Sequence, residues 1–252
     1  MNSSTLSSPV ALVTGGTTGI GLATARLLHE KGYAVLVTGQ NPETLAAARN
    51  LLPADVVILK ADSRSLSDAA LVADELTRRF GRLDFAYFNA GVSRMVSIEA
   101  VDEAFFNEHF EVNVKGPVFT LQKILPLFTD GGSVLFTTAV GAERGFPNYS
   151  VASATKGATA ALVPALAAEL APRRIRVNAI RPGPIDTPAF AKLKLPAEVL
   201  AGFRAVIPQR VPLARMGTPE EVAEVAVFLA SPAASYVTGA TIDVDGGQSA
   251  AF

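Results

Sequence analysis

Cysteine is absent from the 252 residues, and histidine occurs only at 29 and 109. Without a thiol there is no disulfide, no thiolate nucleophile and no zinc-thiolate site, a composition that fits a reducing cytoplasm. Two histidines are too few for a histidine-based metal centre, so no metal is expected. Net charge is also scarce: a formal value of -1 supplies no positive excess for a phosphate backbone, so nucleic acid is not an expected partner. The polar opening from Met1 to Pro9 has no basic region or apolar run, so residues 1–8 read as a disordered polar tail rather than a signal peptide. The apolar stretch from Thr159 to Ala171 falls short of bilayer length and carries Pro164 and Glu169, so no membrane span is expected.

What is plentiful is apolar side chain, at 49% of residues, enough for a large core in one α/β domain over 9–252. β-branched runs begin with Val10 to Thr14 and continue at 34–38, 56–59, 83–88, 133–138, 175–180 and 241–244. Between them, apolar residues at three- and four-residue spacing predict helices near 19–31, 43–51, 65–80, 101–128, 153–171 and 219–230. Such alternation predicts a doubly wound parallel sheet with helices on both faces. The long irregular stretch from Arg181 to Gly217 carries six prolines and follows the carboxyl end of a predicted strand, which marks about 184–215 as a substrate lid.

The segment from Val10 to Leu28 joins a buried-strand pattern to a helical period through a glycine-rich turn. That junction gathers unpaired backbone N–H groups and the positive end of a helix dipole, a cradle for a dinucleotide pyrophosphate. The glycines at 15, 19 and 21 remove the Cβ atoms that would block the turn, the phosphate approach and the packing of helix on sheet.

Taken with Asn89-Ala90-Gly91, Asn113, Lys156, Pro182-Gly183, Tyr236-Val237-Thr238-Gly239 and Val244-Asp245-Gly246-Gly247, this turn makes nearly the whole chain resemble the short-chain dehydrogenase/reductase family, in particular its carbonyl reductases and 3-oxoacyl-(acyl carrier protein) reductases. The resemblance implies a seven-stranded Rossmann sheet and a bound nicotinamide dinucleotide. By position it assigns cofactor contacts to Gly15, Thr17, Thr18, Gly19 and Ile20; to Gly39, Gln40 and Asn41; to Ala61, Asp62 and Ser63, with Asp62 meeting the adenine; and to Asn89, Ala90, Gly91 and Lys156. Pro182, Gly183, Ile185 and Thr187 complete the set, the last two holding the carboxamide. Asp62 capping a turn and Thr187 facing solvent are the plainer alternatives. A carboxylate after the second strand selects NAD(H) by accepting from the ribose diol, and none stands at Gly39. Neutral donors at Thr17, Gln40 and Asn41 favour NADP(H) over NAD(H).

Asn113 and Lys156 occupy two of the four positions on which the family's catalysis rests. The other two, a serine and a tyrosine in the family, hold Ala139 and Ala152. A carbonyl that receives hydride develops alkoxide charge, which needs an acid and a second donor, and alanine is neither. Rescue by Tyr149 or Thr138 is opposed by the Pro147-Asn148 turn and by strand alternation. Three readings stay open: a silenced or engineered carbonyl reductase, which is preferred; a reductase of imine or iminium substrates that need no acid; and a non-catalytic nucleotide-binding protein. Arg94, Phe146, Tyr149, Phe190 and Phe203, with Met95 and Val96, are the expected lining for a hydrophobic or aryl ketone. The helices at 101–128 and 153–171 resemble the pair that assembles this family into homotetramers, with Pro164 a departure from an uninterrupted helix.

Overall fold

The computed structural model describes residues 8–142, 144–188, 198, 202 and 206–251. The β-branched runs form β1 (Val10–Thr14), β2 (Ala34–Gly39), β3 (Val57–Lys60), β4 (Leu83–Phe88), β5 (Phe128–Thr137), β6 (Arg176–Pro182) and β7 (Thr241–Val244). All pair in parallel, in the order β3-β2-β1-β4-β5-β6-β7. Seven of the helices between them are α1 (Gly19–Glu30), α2 (Pro42–Leu51), α3 (Leu66–Arg79), α4 (Glu103–Phe110), α5 (Gly116–Ile124), α6 (Ser150–Leu170) and α7 (Pro219–Ala230).

Strand alternation sends neighbouring side chains to opposite faces, so the sheet has two cores. Leu12, Leu36, Ala86 and Phe136 pack with Leu76 of α3, Ile124 of α5 and Val163 of α6. Val13, Val37, Tyr87 and Leu135 pack on the other side with Leu28 of α1, Ala48 of α2 and Val222 of α7. Arg176, buried at the start of β6, donates to the carbonyls of Leu229 (2.7 Å) and Ser231 (3.3 Å), satisfying acceptors that the end of α7 leaves open.

The helix predicted over 101–128 is broken into α4, a π-helical turn at Glu111–Lys115, α5 and a 3-10 turn, and β5 already begins at Phe128. Two backbone features accompany the break. A Cβ on Gly116 would lie 2.1 Å from the Ser63 carbonyl oxygen, so the chain runs hard against the loop after β3. Pro117 has no N–H to offer the Asn113 carbonyl four residues back, and that oxygen instead lies 3.2 Å from the Thr159 hydroxyl. Helix α6 starts three residues earlier than predicted and continues through Pro164, where the Ala160 carbonyl loses its usual donor. Contrary to the sequence expectation, Ser150–Arg173 is long and apolar enough to cross a membrane by length and composition. Val163, Ala167 and Leu170 of that helix are nevertheless buried in the core against the sheet.

Candidate active site at the carboxyl ends of the strands

The order of strands reverses between β1 and β4, and a crevice opens there beyond their carboxyl ends, where doubly wound sheets bind ligands. Its β1–α1 turn has Gly15 and Gly19 at φ +63 and +52, a region that disfavours side chains. A Cβ on Gly15 would stand 2.9 Å from the Ala90 Cα, and one on Gly21 would stand 2.3 Å from the Gly15 carbonyl oxygen. Thr18, at the N-cap of α1, makes no side-chain cap bond, and the first turn carries no acid, so its N–H groups are open to an anion. Asn89 braces the turn: its Nδ2 donates to the carbonyls of Thr14 (3.3 Å) and Gly15 (3.2 Å), while the Thr14 hydroxyl accepts from Asn89 N–H (3.1 Å) and Ala90 N–H (3.2 Å). A chain built so closely around its glycines fits a pyrophosphate held by backbone.

The crevice has a volume of about 1250 Å³. It brings together every sequence-predicted cofactor residue except Lys156, and from the expected substrate lining Arg94, Met95, Phe146 and Tyr149. Val96 does not line it. Phe190 and Phe203, and much of the expected lid, lie outside the described residues.

Asp62, at the crevice wall, accepts from the Arg64 backbone N–H (2.9 Å) and pairs with the Arg64 guanidinium (2.6 Å), which holds its carboxyl below the ordinary range. Asn41 caps α2 through Oδ1, accepting from Glu43 N–H (2.8 Å) and Thr44 N–H (3.2 Å).

At the inner end, Asn113 sits buried in the π-helical turn. Its Nδ2 donates to the Val92 carbonyl (2.8 Å) and Thr155 Oγ1 (2.9 Å), and its Oδ1 accepts from Val92 N–H (2.9 Å). Lys156, buried on α6, donates from Nζ to the Thr137 carbonyl (2.8 Å), and burial without a carboxylate partner pushes its pKa down to about 8. A Cβ on Gly91 would lie 3.2 Å from Asn113 Oδ1 and 3.4 Å from Lys156 Nζ, so Gly91 gives both groups their clearance. Ala139 borders the crevice, whereas Ala152 is buried and does not. Thr138 is buried and donates to the Ile180 carbonyl (3.1 Å). Tyr149 precedes the first turn of α6 as its N-cap, and its hydroxyl bonds to that of Ser93.

Sequence spacing missed several residues that the fold adds to the crevice, Thr44, Ser93, Glu108 and Gln248, whereas Val206, Ile207 and Arg210 come from the stretch expected to be the lid. Thr44 enters because α2 begins at Pro42, which brings its hydroxyl 3.1 Å from that of Thr17. Ser93 and Glu108 flank Arg94, which pairs with Glu108 and lies 4.9 Å from the Phe105 ring centroid.

A parallel doubly wound sheet with a glycine-walled crevice at its switch point defines a Rossmann-like nucleotide-binding class. Comparison with known proteins narrows it. A family described as enoyl-(acyl carrier protein) reductase matches residues 15–249. The 3-oxoacyl-[acyl-carrier-protein] reductase FabG of Thermotoga maritima is 34% identical over 96% of this chain and 98% of its own. Cis-4-hydroxycyclohexanecarboxylate dehydrogenase of Sinomonas cyclohexanicum is 36% identical over 96% of both. Among solved structures, a 3-ketoacyl-(acyl-carrier-protein) reductase from Brucella melitensis complexed with NADH superposes with TM-score 0.89 and 30% identity, covering 97% of this chain and 100% of that one. The chain belongs to the short-chain dehydrogenase/reductase family of oxidoreductases.

Proposed function

We propose that this chain binds NADP(H) in preference to NAD(H) together with a hydrophobic, aryl-type carbonyl substrate, and that its ketone reduction is silenced at two positions. What supports the reading is an open, glycine-walled cradle bordered by Ala139, with Asn113 and Lys156 buried at its inner end against the Val92 and Thr137 backbone, taken with the resemblance, which puts a serine and a tyrosine at the positions of Ala139 and Ala152. When bound, the dinucleotide supplies hydride. Lys156 is left with the task of holding the nicotinamide ribose, and Asn113 with fixing the Val92 backbone beside it. Neither alanine can protonate or hold a developing alkoxide, which forfeits roughly 10²–10⁴ in rate for the acid alone. The preference for NADP(H) is supported by the lack of a carboxylate at Gly39 and by the Thr17, Thr44, Gln40 and Asn41 side chains around it.

Initial rates of NADPH oxidation on an aryl-ketone panel, compared between this chain and its Ala139→Ser/Ala152→Tyr form, test the silencing. Titration of the unaltered chain with NADPH and with NADH tests the cofactor: NADPH is expected to bind more tightly, and a clearly tighter NADH complex overturns that part.

A further inference from the structure

Two loops meet over the substrate end of the crevice. One follows β4 and carries Ser93 to Val96; the other precedes α6 and carries Phe146 to Tyr149. Val96 N–H donates to the Asn148 carbonyl (2.8 Å), and the Ser93 and Tyr149 hydroxyls bond to each other. Asn148 takes φ +64, a left-handed conformation that asparagine tolerates better than most residues, and it turns the chain so that Tyr149 enters the crevice. The Tyr149 ring is then wedged. A Cβ on Gly141 would lie 2.6 Å from its Cε1, and the Phe146 ring meets it edge-on at 82° with centroids 6.3 Å apart. Its carbonyl accepts Ser153 N–H (2.8 Å), tying it to the start of α6.

The pair therefore has a fixed position and spare hydrogen-bonding capacity. Two hydroxyls carry two hydrogens, and their mutual bond uses one; no other protein bond to either hydroxyl occurs among the described residues. The same crevice carries the apolar Met95, Val112, Ala139, Val140 and Phe146, and Arg94 and Glu108, its charged groups beside Ser93, are paired with each other. Burial raises the Tyr149 pKa, so the phenol stays protonated through neutral pH and acts as a donor.

We infer that the Ser93–Tyr149 hydroxyl pair is a binding point for a neutral oxygen, carbonyl or hydroxyl, on an otherwise apolar substrate, and so sets specificity for oxygenated ligands. The inference rests on the reading of the crevice as a substrate site. It assigns the pair ligand binding and leaves the proton of the reaction elsewhere.

The experiment uses the full chain with saturating NADPH and two probes of one shape, 2-acetylnaphthalene and its alkene isostere 2-isopropenylnaphthalene, whose dissociation constants are read by ligand-observed NMR. A net hydrogen bond corresponds to about a two- to tenfold preference for the ketone. The unaltered chain is expected to show that preference. Ser93→Ala/Tyr149→Phe is expected to abolish it with alkene affinity unchanged, and Tyr149→Phe alone to reduce it. Unchanged alkene binding also establishes that the variants keep their fold. Equal binding of ketone and alkene to the unaltered chain, or a preference that survives the double substitution, overturns the inference. A separate NADPH titration of the same proteins reads the cofactor proposal by itself, so the two fail independently.

Discussion

At the residue scale, the most consequential group is Lys156, an ammonium buried on α6 with a carbonyl as its partner. Its pKa falls from 10.5 to about 8 because burial penalises the charged form. Between those two values the unfolded chain binds the extra proton, so stability rises as pH climbs from about 8 to 10.5, and the penalty is fully present below about 8. Lys156→Met is therefore expected to remove that rise in urea-unfolding profiles and to stabilise the protein at pH 7 by up to about 3 kcal/mol. A profile in the variant as steep as in the unaltered chain contradicts this. The position of Lys156 was legible from sequence because it stands in register with Asn113 and the motifs around them. Its isolation was not, since that depends on which backbone oxygen the fold places beside Nζ. Ser93 and Thr44 were illegible for the same reason: each enters the crevice through a loop or helix start whose direction no local spacing specifies.

At the element scale, the π-helical turn at Glu111–Lys115 shows where periodicity misleads. Apolar spacing continues smoothly across 101–128, so the pattern predicts one helix, yet Gly116 and Pro117 impose a close approach and a missing donor that hydropathy does not record. The same break places Asn113 beside Val92 and Thr155. Thr159 is buried, and its hydroxyl lies 3.2 Å from the Asn113 carbonyl oxygen and 2.9 Å from that of Thr155. Thr159→Val is expected to cost about 1–3 kcal/mol in chemical denaturation, the desolvation cost of an unpaired acceptor. In a Pro117→Ala background, where residue 117 regains an N–H, the same substitution should cost less; equal costs in both backgrounds contradict the argument. The strands and the glycine turn were legible because their signals are local, in β-branched runs and glycine spacing. The boundaries of β5 and α6 were not, because Phe128 pairs with Leu83 through an irregular register and α6 starts on a turn made by Asn148.

At the scale of the whole molecule, long-range polar contacts tie the layers together. Arg176 joins the start of β6 to the end of α7 through buried donors, so Arg176→Met is expected to destabilise the fold by about 1.5–3 kcal/mol through the loss of charge-assisted bonds, the Leu229 carbonyl keeping the Ser133 hydroxyl at 2.9 Å. A change within about 0.5 kcal/mol contradicts that role. On the outside, Phe106 of α4 and Phe119 of α5 are exposed apolar side chains, which supports the proposal of a homotetramer built on these helices and α6. Light scattering at a mass four times that of the chain is the expected result, and a monomer contradicts it. The fold class followed from sequence because alternation of strand and helix permits few arrangements, and the strand order matches it. The account as a whole rests on the proposal that Ala139 and Ala152 silence ketone reduction in an otherwise intact crevice. Its most direct test is the initial rate of NADPH oxidation with aryl ketones, before and after Ala139→Ser/Ala152→Tyr. A gain of roughly 10²–10⁴ is predicted; no gain, with NADPH bound equally well by both proteins, would contradict it.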